Sequence, residues 1–178
     1  MPKRYAPKDL RLIFDEMSGG SDRACILVGG SLLEHELEEA LLSRFRSSKN
    51  AAERNALFTQ GGILGSFEEK CWAAYFLRVI GPAAKRDIDL IRSIRNEAAH
   101  DMNAVSFEKT QEIANRCREL RFMSVYVKGY KPSESLRANF DTTVRVLTLL
   151  LAIRSREATS EMANAIASNH LDEKFLDL

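Results

Sequence analysis

Arg95, Asn96 and His100 stand in the stretch Asp87–Asp101 in the form R-N-x3-H. An imidazole ordinarily titrates near neutrality and can give or take a proton. A guanidinium can hold the charge that builds on a phosphorane. Together these residue types could cleave a phosphodiester. His100 would move a proton to or from a ribose hydroxyl or the leaving oxygen, and Arg95 would hold the charge. Asn96 lies i, i+4 to His100 and would orient the ring or touch phosphate. On an ideal helix Arg95 and His100 point about 140° apart. They meet on one phosphate only if the helix ends near His100 or a second subunit completes the site.

The same residues have a structural reading. Ala84, Ile88, Ile91 and Ala98 recur at helical spacing and make an apolar stripe. Arg92, Asn96 and His100 form a polar ridge beside it, whereas Arg95 is spaced to lie on or next to the stripe. A cation there is costly unless paired. Glu34 and Glu38, in the acidic band Glu34–Glu39, are the candidate partners, and His100 and Asp101 would cap the helix. Exposure separates the readings. A lock buries Arg95 against a carboxylate; a nuclease opens Arg95 and His100 into a basic cleft.

The elements that must position these residues all read as helices. Leu10, Ile13, Phe14 and Met17 predict a helix over 8–17. Ser21 caps a long helix from Asp22 to about Arg46; Gly29-Gly30 inside it marks either the close approach of another helix or backbone or a kink. Residues 47–57 read as a loop plus a short helix. The glycine-rich turn ending at Gly65 is not a phosphate loop, because no Lys-Ser or Lys-Thr follows it. Ser66 to Glu69 is a capping box, predicting a helix from Phe67 to Ile80. Gly81 stops it and Pro82 starts the motif helix, which makes a tight hairpin. Ser106 is read as the cap of a helix over about 107–121, and 122–131 as an ordered loop. Ser133 is read as the cap of the last long helix, followed by a weaker alanine-rich helix over 158–170 and a tail, Leu171–Leu178. The fold class expected is all-α: one domain spanning 1–178 with a core over about 8–157, built as a bundle of six to eight helices.

Composition narrows the function classes. The 178 residues are 45% apolar and 29% charged, with 26 basic and 25 acidic side chains and a net charge of +1. That is a globular composition with no global field for nucleic acid or anionic membrane. Cys25, Cys71 and Cys117 are far apart and odd in number, so reduced thiols in a cytoplasmic protein are expected. Neither Cys nor His has metal-ligand spacing, and no metal or cofactor is expected. The N-terminal segment has no uncharged stretch typical of a secretion signal, and Val146–Ile153 is far too short for a membrane span.

Two resemblances attach to these residues. The R-N-x3-H form of Arg95, Asn96 and His100 resembles the R-x4-6-H signature of the HEPN superfamily of small α-helical proteins. In its nuclease members that resemblance implies metal-independent RNA cleavage in a site assembled across a homodimer. The longer resemblance covers roughly residues 20–155 and is to the mannitol operon repressor (MltR) family. It rests on the L-G-S-F turn at Leu64–Phe67 and on I-R-x-I-R-N-x-x-A-H-D over Ile91–Asp101. Gly65, Ser66, Phe67, Arg92, Arg95, Asn96, His100 and Asp101 match the family's pattern, while Glu68-Glu69-Lys70 and Trp72 depart from it. This resemblance implies an all-α fold and a role in transcriptional control, with a homodimer as the expected assembly. The chain shows no basic recognition helix and no basic arm, so a regulator of this kind is expected to work through an unknown protein partner. The alternative is a HEPN-like endoribonuclease acting on RNA through Arg95 and His100.

Overall fold

In the computed structural model, residues 7–45, 51–59 and 61–169 are described. Among them are eight helices and no strand. They are α1 (Pro7–Gly19), α2 (Asp22–Leu42), α3 (Ala51–Phe58), α4 (Phe67–Phe76), α5 (Pro82–His100), α6 (Gln111–Arg118), α7 (Phe122–Tyr126) and α8 (Leu136–Asn169). The tail Leu171–Leu178 lies outside the described residues.

The chain wraps its helices around α2 and α8. Ile26, Leu33, Leu37 and Leu41 of α2 meet Phe140, Val144, Leu147 and Leu151 of α8 in one continuous core. Burying side chains of this size contributes about 1.5–3 kcal/mol each before the entropy of ordering is counted. Two arginines of α8 hold α1 in place. Arg137 donates to the carbonyls of Met17, Ser18 and Gly20 and pairs with Asp22 at 2.8 Å. Arg145 donates to the Phe14 carbonyl and covers the Phe14 ring. The orphan carbonyls at the end of α1 are thereby satisfied by guanidiniums from the far end of the sequence.

Several element ends differ from the sequence reading, each for a physical reason. Helix α2 stops at Leu42, not near Arg46: the Ser43 hydroxyl donates to the Ala40 carbonyl and its N–H to Glu39. Helix α4 stops at Phe76, not Ile80. Arg78 takes a left-handed conformation, φ 56°, and the Val79 N–H reaches back to the Ala74 carbonyl. That is a helix-ending geometry glycine usually supplies, so the stop had no sequence signal. Ser106 caps a single turn over 107–109, and α6 starts only at Gln111. The segment read as a loop contains α7. Its first N–H groups, from Arg121 and Phe122, donate to the buried Asp87 carboxylate of α5. A cap thirty-four residues away leaves no local pattern. Ser135, not Ser133, caps α8 by accepting the Ala138 N–H, and α8 runs unbroken through 158, where a second helix was expected.

The three cysteines are buried and reduced: Cys25 on α2, Cys71 on α4 and Cys117 on α6. Burial pushes their thiols up to about 11, 12 and 12 respectively. No described helix is long and apolar enough to cross a membrane.

Candidate functional site

The motif side chains lie where α5 crosses α2 and meets the start of α4. Gly30 makes the crossing possible. A Cβ on it would sit 2.8 Å from Arg95 Cγ and 3.0 Å from Arg95 Cβ, so any larger residue would displace the arginine stem. Gly29, its neighbour, lies instead against Met17, Phe140 and Val144. The two glycines thus serve two different contacts.

With its stem on Gly30, Arg95 turns its guanidinium toward α2. Nη2 stands 3.8 Å from Glu34 Oε2, and Nη1 donates to Asn96 Oδ1 at 3.1 Å. The side chain keeps 34% of its surface exposed. Glu38 faces a different cation. Lys70 of α4 places its Nζ 2.9 Å from Glu34 and 3.4 Å from Glu38, and only 6% of that lysine side chain is exposed. The acidic band therefore grips Lys70 on one side and Arg95 on the other, with Glu34 shared.

From the sequence Lys70 stands out only as a departure from the family pattern, although a signal for its role existed. It falls on the same side of α4 as Phe67, Cys71 and Ala74, all buried. A charge on that stripe had to be paired.

The other motif residues divide in the same way. Arg92 lies 3.2 Å from Glu68 at the exposed start of α4. Ser66 and Glu69 complete the capping box: the Ser66 hydroxyl accepts the Glu69 N–H and the Glu69 carboxylate accepts the Ser66 N–H. Those bonds hold the Glu69 carboxyl below its ordinary value. Phe67 is buried, and Gly65 passes so close to the Thr59 carbonyl that a Cβ would sit 2.5 Å from it. The L-G-S-F turn is thus a device for seating α4 and, through it, Lys70.

His100 is the last residue of α5 and is exposed, and its imidazole has no hydrogen-bond partner among the described residues. Asp101 follows as the C-cap, and its carboxylate accepts the Asn103 backbone N–H at 2.7 Å. Arg23 of α2 locks this end by donating to the carbonyls of Ala98 and Asn103. Arg95 thus leans onto α2 while His100 faces solvent. Among the described residues, no group of His, Cys, Asp and Glu could hold a metal ion.

Comparison with known proteins adds one likeness. The fold is similar to MtlR in the X-ray structure of the MtlR-HPr complex from Escherichia coli, with a TM-score of 0.54 and 21% sequence identity over 84% of this chain and 97% of that one. The chain has an MltR-like fold. No protein-family profile and no curated protein sequence matches it.

Proposed function

We propose that the protein is a regulator of transcription that works by binding a protein partner. The observation that carries this reading is the divergence of Arg95 and His100. Arg95 is tied to Glu34 and Asn96 and props α5 on α2, and α5 stays helical through His100, so the two side chains leave the helix about 140° apart. The arginines of α6 favour the same reading. Arg116 lies 3.6 Å from Glu97 and 3.7 Å from Glu112, and Arg118 donates to Asn115, so both are engaged within the protein. A groove-reading helix would present such residues to phosphate and bases. The similar MtlR fold was crystallised with HPr, so HPr is the first partner to test. Calorimetric titration with purified HPr should give saturable binding at physiological salt, with no shift of duplex DNA by the protein alone. A DNA shift by the protein alone that weakens steeply with salt would overturn the reading.

One observation favours the ribonuclease alternative: His100 is exposed and a third of the Arg95 side chain is accessible. A second subunit would have to complete that site. Incubation with labelled RNA in EDTA decides it. Cleavage by the wild type, lost in a folded His100→Ala variant, would replace the regulatory reading; intact RNA retires the alternative.

A further inference from the structure

The outer face of α4 carries an aromatic ladder that the regulatory reading does not use. Trp72 and Phe76 are 43% and 73% exposed and stack at 5.7 Å with their planes 19° apart. Tyr75 joins them, 5.7 Å from Phe76, and Leu77 continues the apolar surface. Between α4 and α5 the ladder borders an open groove of about 480 Å³, lined by Trp72, Tyr75, Pro82 and Leu90 and, along α5, by the charged Lys85, Arg86 and Asp89. The Lys85 ammonium sits 3.6 Å over the Trp72 ring. Aromatic residues gathered with arginine are the composition of interface hot spots rather than of a solvated helix face.

The charges around the ladder name its occupant. Glu68 and Glu69 are exposed at the N-terminal end of α4, and Arg78 is exposed just past its C-terminal end. Arg78 occupies a left-handed backbone position, φ 56°, that favours glycine, so a side chain stands where the backbone would be more relaxed without one. Trp72 and Phe76 are centred on Ala74; Glu69 and Arg78 are centred between Ala73 and Ala74. One two-fold axis near that point would therefore lay Trp72 against Phe76 and bring Arg78 onto Glu68 and Glu69 of the other copy. A parallel copy would instead set like charges together, and a head-to-tail contact would not close.

We infer that the outer face of α4 is the contact between two copies of this chain, packed antiparallel. The inference does not rest on the regulatory reading, and its test uses neither HPr nor nucleic acid.

Sedimentation equilibrium of the full chain, together with emission from Trp72 on dilution, tests it. Trp72 is the chain's one tryptophan and sits in the contact itself. The wild type should be dimeric at micromolar concentration, with Trp72 emission moving to longer wavelength as the dimer dissociates. Phe76→Asp should raise the dimer dissociation constant by roughly 30-fold or more, with helicity unchanged. Arg78→Glu should raise it by about 10-fold, and Glu68→Arg combined with Arg78→Glu should recover most of the loss. Glu68 is the residue to reverse because Glu69 closes the helix cap; Glu68 also pairs with Arg92 at 3.2 Å within the chain, so the single and double reversals are compared in an Arg92→Gln background. A monomeric wild type, or a dimer indifferent to Phe76→Asp, would overturn the inference. Failure of the double reversal to recover association would overturn the antiparallel register.

Discussion

Lys70 and Arg95 reach the same glutamate from different helices, and they do so in opposite ways. Lys70 is almost wholly buried, 2.9 Å from Glu34 and 3.4 Å from Glu38. Arg95 lies 3.8 Å from Glu34, a third of its side chain in water. Removing a buried partner strands a charge in a low-dielectric site and costs about 3–5 kcal/mol. An exposed pair is screened and contributes about 0–1 kcal/mol. The residue that the motif brings forward is therefore the weaker tie, and the lysine outside it is the stronger. Arg95 adds something Lys70 does not: its aliphatic stem fills the space that Gly30 leaves open, so its packing matters apart from its charge.

The contrast can be broken by measurement, beginning with the largest effect. Lys70→Ala should lower unfolding stability by about 3 kcal/mol, read from the urea midpoint. A loss below about 1 kcal/mol would mean that Glu34 and Glu38 are satisfied without it. Arg95→Met keeps the stem and drops the charge; it should cost about 0.5 kcal/mol and nothing at 1 M salt. Arg95→Ala, which also removes the stem, should cost about 1 kcal/mol more than Arg95→Met at either ionic strength. If Arg95→Met costs as much as Lys70→Ala, the order of the two ties is reversed. Arg78→Gly should go the other way and raise stability by about 0.5–1 kcal/mol, because glycine adopts φ 56° without strain. The melting temperature of the dilute, monomeric protein reads that last change.

A third buried charge sharpens the comparison through pH. Asp87 is fully buried and bonded to the N–H groups of Arg121 and Phe122, whereas Lys70 is satisfied by carboxylates. Burial raises the Asp87 carboxyl above its ordinary value of 3.8, although those N–H groups pull it down. The folded pKa thus lies above the unfolded one. As pH rises through that window the unfolded chain gives up this proton first, so the stability Asp87 contributes falls. The stability difference between wild type and Asp87→Asn should shrink over the same window and level off above it. A difference that grows with pH would mean that the N–H bonds outweigh burial.

Much of the fold was legible because it rests on local periodicity. The Ser21 cap, the Ser66–Glu69 box and the Pro82 start of α5 stand where the sequence put them, whereas Gly81 is the N-cap of α5 and not the stop of α4, whose C-cap is Leu77, four residues earlier. The misplaced elements depend on contacts across the chain. Helix α7 begins on a carboxylate from α5, and α4 stops at an arginine in a backbone state that sequence pattern does not assign to arginine. Within the candidate site, spacing placed Arg95 beside the core and named Glu34 and Glu38 as the carboxylates near it. It did not show that Lys70 would take Glu38 and most of Glu34. Competition between two cations for one acid depends on the crossing of three helices, which no single helix's periodicity contains.

The three buried thiols give the molecule an internal set of clocks. Only a thiolate reacts quickly with a disulfide reagent, and in the folded chain these groups are shielded and held near 11 to 12. Each lies on a different helix, α2, α4 or α6. Under native conditions each labels only when its own helix opens, so three variants with one cysteine apiece would report three local opening free energies. A slow Cys25 beside a fast Cys117 would mark α2 as the last part of the bundle to let go.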